Sequence, residues 1–371
     1  MRPRSPLRLL FFTQKIDEND DVLGIACDWI AALGERVEAL HCVCLEAGTA
    51  PRLPDGVRIH SLGRELGHGR AQLLWESQKT IRQLVASGAI DAAFVHMAPL
   101  YTVLTYPWAA RRRLPIFTWY THRQVTPTLR LAVTLSDRVL TASRHSILVD
   151  SDKVLATGHG IPIPPAAALH FDDERPREVL AVGRLTPIKR WETFIAAAAI
   201  LKERGFRFRL VGDAVLESDR LYRDRLRELV VSHGLGSSFT FEGAVPYRRM
   251  PEYYQRAFCT VNACVDSSYD KAVLESMAFG RPALTSNRAF APMLDGETTP
   301  LLFPEEDAAA LAEGIEGIGA LSLDQRRELG LRLRDKTAYE HGLDRLMDRV
   351  VELFSIDVVE RSAPRIRDKV S

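Results

Sequence analysis

The sequence predicts an α/β protein built from two doubly wound domains, and three observations predict it. Apolar runs of strand length alternate with amphipathic helical patterns, the signature of a parallel sheet covered on both faces. The alternation stops in the proline-rich, aperiodic stretch GIPIPPAAALHFDDERP (160–176) and then restarts, so that stretch reads as a linker. At 371 residues the chain is too long for one ordinary core. The expected division is a first Rossmann-like domain over 1–165 and a second over 166–340. A closing segment, 341–371, is expected to carry a helix that packs back toward the first domain, followed by a polar tail.

The elements follow in order. LRLLFF (7–12) reads as a buried strand. Asp20 or Asp21 caps an amphipathic run from Val22 to Leu33, which Gly34 ends. Strands are expected at 37–44, near 57–60, at 91–96, 115–119, 137–142 and 153–156, with helices in most gaps, for example 72–87. After the linker come EVLAVG (178–183), a helix over 190–204, FRLVG (208–212), a helix over 218–233 and FTFEG. A short helix near 248–256, CTVNA, a helix around Glu275, PALTS and PLLF follow. Helices near 307–319, 323–335 and 339–354 close the pattern.

Composition sets the class. Apolar residues make up 46% and charged residues 26%, the balance of a soluble globular protein. The net charge of +1 gives no global pull toward nucleic acid, although the first 165 residues carry more base than acid. Five cysteines, Cys27, Cys42, Cys44, Cys259 and Cys264, show no zinc-site spacing; Cys42 and Cys44, one residue apart in a strand-like run, read as reduced core residues, and the compartment as the reducing cytoplasm. No apolar run reaches the length of a membrane span. The N-terminal MRPRSPLRLLFF runs into Gln14, Lys15 and several acids with no cleavage-like site, so it reads as a strand.

In doubly wound sheets, ligands bind just beyond the carboxyl ends of the strands, here in a cleft expected between the two domains. The residues after each strand are therefore the candidates. After EVLAVG come Gly183, Arg184 and Lys189, a turn-forming glycine and two cations suited to a diphosphate or to a solvated surface. After CTVNAC come Ser267, Ser268, Tyr269 and Asp270, ahead of a helix whose first amides suit an anion. Glu275, farther along that helix, can accept from two neighbouring hydroxyls such as those of a ribose, or is a half-exposed helix residue. His122 follows the strand PIFTW, and His96 ends another strand. Gly24 follows the acidic DENDDVL stretch, which a capping role for Asp20 and Asp21 explains equally well. Arg111–Arg113 is a solvated helix end or a contact for anionic lipid headgroups. Asp150-Ser-Asp152 and His159, set between Gly158 and Gly160, read as turns.

VGRLTPIKRWETFIAAAAIL, RLVGDA, FEGAVPYRRMPEYY and SSYDKAVLESMAFGRPALTS, in this order and spacing, resemble the donor-binding half of family 4 retaining glycosyltransferases of the GT-B fold. FFTQKIDENDDVLGIACDWI, FVHMAP, WYTHRQVTPTLRLA and TASRHS resemble a bacterial branch of that family more loosely. The resemblance implies that Arg184 and Lys189 bind diphosphate, that Glu275 holds the nucleotide ribose, and that His122 is the active-site histidine. It implies donor contacts from Gly183, Ser267, Ser268, Tyr269, Asp270 and Lys271, with Gly24 and His96 on the acceptor side. The chain departs from the family's Glu-x7-Glu pair: the first glutamate falls at Ser267, flanked by Asp266 and followed by Asp270. Either Asp270 substitutes for it, or the serine hydroxyl and nearby amides hold the sugar.

The implied activity is retaining transfer of a sugar from a nucleoside-diphosphate sugar, UDP- or GDP-type, to a hydroxyl acceptor, with no metal and no other cofactor. The acceptor is a saccharide or a lipid-linked saccharide, which leaves open peripheral contact with the inner membrane face. The missing acid at Ser267 motivates another reading, a sugar-nucleotide-binding partner protein without turnover; a third keeps the fold and changes the chemistry, for example an epimerase acting on the nucleotide sugar.

Overall fold

The computed structural model describes residues 4–172, 176–264, 268–297 and 299–362. The chain divides into two compact units. One is Met1–Gly160 together with Leu343–Ser371; the other is Ile161–Gly342. The first crossing thus falls at Gly160, five residues ahead of the expected boundary. Ile161 already belongs to the second unit, where its N–H donates to the His341 carbonyl at 2.7 Å.

The first unit is a seven-stranded parallel sheet in the order β3-β2-β1-β4-β5-β6-β7. Its strands are β1 (Ser5–Ile16), β2 (Val37–Ala47), β3 (Val57–Ser61), β4 (Ala92–His96), β5 (Ile116–Trp119), β6 (Arg138–Thr141) and β7 (Val154–Ala156). Its helices are α1 (Ile25–Gly34), α2 (Arg70–Ala86), α3 (Pro99–Arg112), α4 (Pro127–Leu135) and, from the far end of the chain, α12 (Leu343–Ser362). Side chains alternate across the pleat. Leu9 and Phe11 enter a core shared with Trp29 of α1 and Phe354 of α12, whereas Leu10 and Phe12 enter one closed by Leu73, Ile81 and Tyr101 of α2 and α3. α3 packs on both α2 and α4, so these three form one helix layer.

β1 runs past Phe12 to Ile16. Gln14 is accommodated by donating to the Met97 carbonyl at 3.0 Å, and Lys15 by ion pairs to Asp17, Asp20 and Glu46. Asp20 accepts from the N–H groups of Val22 and Leu23, so it caps a turn, and α1 proper starts only after Gly24.

The second unit is a five-stranded parallel sheet in the order β10-β9-β8-β11-β12. It comprises β8 (Arg177–Val182), β9 (Phe206–Val211), β10 (Phe239–Gly243), β11 (Cys259–Asn262) and β12 (Ala283–Thr285). The helices are α5 (Trp191–Ile200), α6 (Glu217–Ser232), α7 (Met250–Arg256), α8 (Lys271–Ala278), α9 (Ala291–Leu294), α10 (Ala308–Ala320) and α11 (Leu323–His341). The PLLF segment forms a single bridge, Thr285 to Leu302, instead of a strand. α11 runs on to His341, six residues beyond its expected end. Among the described residues no helix is long and apolar enough to cross a membrane.

Candidate functional site

The carboxyl ends of β8, β9 and β11 in the second unit gather the donor-side candidates. Gly183 leaves β8 with φ 154° and Gly212 leaves β9 with φ 131°. A Cβ on Gly212 would lie 2.0 Å from the Gly183 carbonyl oxygen, so the two turns can approach only because residue 212 has no side chain. The chain then reaches Arg184, whose carbonyl accepts from the Trp191 indole at 3.0 Å. Trp191 is fully buried and pins the loop. The Arg184 guanidinium is exposed, with no hydrogen bond or ion pair among the described residues.

Lys189 is engaged differently. Its ammonium pairs with Asp270, and both side chains are mostly enclosed. Asp270 also accepts from Asn262 Nδ2 at 2.9 Å and caps α8 by accepting from the Ala272 N–H at 3.0 Å. Burial favours the neutral carboxyl, but the Lys189 charge and these hydrogen bonds outweigh it and hold Asp270 below its ordinary 3.8. Burial likewise opposes the ammonium, yet the Asp270 charge carries Lys189 above its ordinary 10.5. A polar chain braces the pair: the Thr285 hydroxyl donates to Asn262 at 3.1 Å, and Asn287 N–H donates to Thr285 at 3.1 Å. Asn287 Nδ2 donates to the Ser268 carbonyl at 2.7 Å. Asp270 is therefore an N-cap and the lysine's counter-ion.

Glu275 is 6% exposed, so the half-exposed reading fails. Its Oε2 accepts from the Tyr254 hydroxyl at 2.8 Å. Burial first, and then the Glu275 charge, hold that hydroxyl protonated well above its ordinary range. Among the described residues, Oε1 is buried with no hydrogen-bond partner, and its ion-pair neighbour is Lys271 Nζ at 3.6 Å. A buried carboxylate oxygen without a donor is costly and rare. The Lys271 ammonium also lies 4.6 Å over the Tyr247 ring. Tyr269 packs edge-on against Phe290 and His341, with ring centroids 4.9 and 4.5 Å away. Ser267 and Asp266 lie outside the described residues.

The remaining candidates belong to the first unit. His122 is exposed on the segment after β5, its ring edge-on to Tyr120 at 5.8 Å. Gly24 is the helical N-cap residue of α1 and accepts from the Cys27 N–H at 3.0 Å. His96 ends β4 but is walled in by Phe11, Trp29 and Trp119, with Nδ1 3.3 Å from the Thr13 hydroxyl. Burial, reinforced by His159, pushes its pKa down to about 3, so it is a neutral core ring at ordinary pH. His159 itself packs against Trp119 at 5.9 Å. Asp152 begins a turn, as its place between two strands suggests. Among the described residues, no group of three or more His, Cys, Asp or Glu side chains is placed to hold a metal ion.

The site is thus a buried Lys–Asp pair, an exposed arginine, and a buried glutamate with one oxygen lacking a donor, all in one doubly wound unit. Sequence reasoning pointed to these positions but missed Asn262, Tyr254 and Asn287. Tyr254 lies in FEGAVPYRRMPEYY, and Asn262 in the strand CTVNA. Neither has a signal of its own, because each matters only through a partner distant in sequence.

Comparison with known proteins places this unit. Residues 176–319 match the family model described as "Glycosyl transferases group 1". A candidate colanic acid biosynthesis glycosyltransferase of Escherichia coli, WcaL, is 27% identical over 174 residues, covering 44% of this chain and 41% of that protein. The 2-deoxystreptamine N-acetyl-D-glucosaminyltransferase of Streptomyces fradiae is 32% identical over 137 residues, covering 35% of this chain and 31% of that protein. The chain thus spans less than half the length of these relatives. The crystal structure of Anabaena HepE with UDP and glucose superposes with a TM-score of 0.68 at 15% identity, over 94% of this chain and 99% of that one. The two parallel sheets and this match establish the GT-B fold, and the resemblance to GT-B glycosyltransferases holds.

Proposed function

Taking the chain as a GT-B protein whose residues 176–319 match the group 1 glycosyltransferases, we propose that it transfers a sugar from a nucleoside-diphosphate sugar to a hydroxyl acceptor. The observation that carries this reading is the buried Glu275 carboxylate, whose Oε1 lacks a donor while Oε2 is held by Tyr254. A ribose hydroxyl supplies the missing donor. A UDP- or GDP-type donor fits this carboxylate, and the name of the HepE structure, which includes UDP and glucose, supports that class.

The rest of the site serves the diphosphate. Negative charge grows on the leaving phosphate as the anomeric C–O bond breaks. Arg184 is free among the described residues to meet it, and Lys189 can turn from Asp270 to share its charge. Fixed cations aimed at developing charge are worth ~3 kcal/mol each in typical cases. They make the transfer metal-independent in this proposal. The departing phosphate accepts the acceptor hydroxyl's proton, and the new bond forms on the face the leaving group vacates, giving retention. Ser268, Tyr269, Lys271 and the α8 amides border the donor. The resemblance implies that His122 is the active-site histidine.

The test is a binding and turnover assay with UDP- and GDP-sugars in EDTA. Binding that survives EDTA, a large loss in Lys189→Ala and Arg184→Ala, and transfer to a glycan or lipid-linked sugar are expected. Full activity in Lys189→Ala would refute the charge-stabilisation step. One observation favours a second reading: Ser267 stands where a donor-sugar glutamate is expected. Tight binding without transfer across an acceptor panel would make the chain a sugar-nucleotide-binding partner. Proton NMR showing an altered sugar without any acceptor would make it an epimerase.

A further inference from the structure

The chain carries only +1 overall, yet residues 64–136 hold nine Lys or Arg against three acids, with no acid at all from Ala92 to Ser136. The three acids are all engaged: Asp91 with Arg8, Glu76 with Lys79, and Glu65 with the Ser61 hydroxyl. This stretch supplies α2, α3 and α4, the helix layer on one face of the first unit's sheet. Six of the nine cations, Arg70, Lys79, Arg82, Arg111, Arg112 and Arg130, lie on these helices, against one acid, Glu76.

The same surface exposes large apolar groups. The turn leading into α2 leaves Leu66 74% exposed, and α2 itself leaves Trp75 70% exposed. Trp75, Lys79 and Arg82 recur at intervals of four and three residues, so they share one line along the helix, and all three are exposed. At the Arg82 end of that line, Trp108 of α3 has Arg82 5.7 Å and Arg111 5.2 Å from its ring centroid. Its indole N–H donates to Gln78 at 2.9 Å, and Arg112 donates to the Ala86 carbonyl at 3.2 Å. The cations are thus held at the α2–α3 seam, beside a half-buried indole.

We propose that the outer face of α2 and α3 docks on an anionic lipid surface. An exposed tryptophan beside basic residues suits the headgroup level of a bilayer, with the ring toward the acyl boundary and the cations among the phosphates. A nucleic-acid backbone would use the arginines but has no use for Leu66. The lipid surface uses both halves of the pattern.

This inference does not depend on the sugar-nucleotide reading, and the experiment keeps the two apart. The full chain is sedimented with phosphatidylcholine vesicles and with vesicles also containing phosphatidylglycerol. Binding is expected only to the anionic vesicles, with a blue shift of tryptophan emission. It should weaken as salt rises from about 0.1 to about 1 M and the Debye length falls from ~10 to ~3 Å. Each cation near such a surface is worth about fivefold in partitioning, so Arg111→Gln with Arg112→Gln should weaken binding roughly 25-fold. Trp75→Ser, which disturbs no hydrogen bond, should abolish the blue shift, and Lys189→Ala should bind vesicles normally. Equal binding to both vesicle types, no binding at low salt, or unchanged binding by Trp75→Ser would overturn the proposal. So would displacement of the protein from vesicles by an oligonucleotide at lower phosphate concentration than the lipid.

Discussion

Lys189 and Asp270, 81 residues apart in sequence, form an enclosed ion pair at the carboxyl end of the second unit's sheet, and Asn262 supplies a further donor to the carboxylate. The pair means that the donor-side lysine has a resting partner. Removing one member of a buried pair commonly costs ~3–5 kcal/mol, because the remaining charge is uncompensated. Asp270→Asn should therefore destabilise the chain by about 3 kcal/mol in urea unfolding, while Asp270→Asn with Lys189→Met costs clearly less than the two singles added. Additive singles would mean that the pair carries no coupling. Under the proposed function, UDP should stabilise Asp270→Asn more than the parent, since diphosphate then supplies the lost counter-charge.

The pH window of this pair follows from the directions of the two shifts. Asp270 is held below 3.8 in the fold, so its contribution is complete above that value and is lost as acid carries the pH down through the depressed one. Lys189 is held above 10.5, so its contribution is complete below 10.5 and is lost as base carries the pH through the raised value. The coupling measured with the double variant should accordingly stay flat from pH 5 to pH 9. A coupling that changes across neutral pH would contradict these directions.

Gly212 offers a test of the turn geometry. Its φ of 131° disfavours any side chain, and a Cβ would also strike the Gly183 carbonyl. Gly243, with φ 82°, has open space where its Cβ would go. Backbone strain of this kind costs roughly 1–3 kcal/mol. Gly243→Ala should lose about that much stability, whereas Gly212→Ala should lose more and also weaken UDP binding, because the collision displaces the loop that carries Arg184. Equal effects of the two variants in unfolding and in titration calorimetry would show that the close approach is unimportant.

The fold was legible where strands are buried on both faces, because continuous apolar runs such as Phe94–Val95 or Leu180–Ala181 have no other use. Legibility failed where polar residues find partners far away. Gln14 and Lys15 extend β1 only because Met97, Asp17, Asp20 and Glu46 receive them. The position of Glu275 could be picked out from its helix, but its burial depends on Tyr254 of α7. Asp270 reads as a cap or a sugar ligand until Lys189 is placed beside it. His96 sits at a strand end, where ligand-binding residues gather, yet the rings that enclose it come from β1, α1 and β5.

That enclosure makes His96 an acid-sensitive point of the first unit. In the fold its pKa is pushed down to about 3, while in the unfolded chain it stays near 6.5. Between these values the unfolded state binds a proton that the folded state refuses. Stability from this group is complete above pH 6.5 and declines as the pH falls, by up to ~1.4 kcal/mol per pH unit. His96→Phe keeps an aromatic ring among Phe11, Trp29 and Trp119 and removes the titration. Its unfolding free energy should therefore fall less steeply than the parent's between pH 6.5 and pH 4. Parallel curves would mean that the ring is protonated in place.

Glu275 is the strictest test of the proposed donor chemistry. A hydrogen bond to a charged group is worth ~1.5–3 kcal/mol, or roughly tenfold to more than a hundredfold in affinity. Glu275→Gln keeps the shape and an acceptor for Tyr254 but removes the charge. UDP should bind the variant at least tenfold more weakly in titration calorimetry, with the fold intact by circular dichroism. If the lost contact is to the ribose, a deoxyribose analogue of UDP should bind the parent more weakly than UDP does. The same analogue should bind Glu275→Gln about as well as UDP does, because the interaction has already gone. An analogue penalty of equal size in both proteins would place the ribose elsewhere and leave the Glu275 oxygen to some other donor.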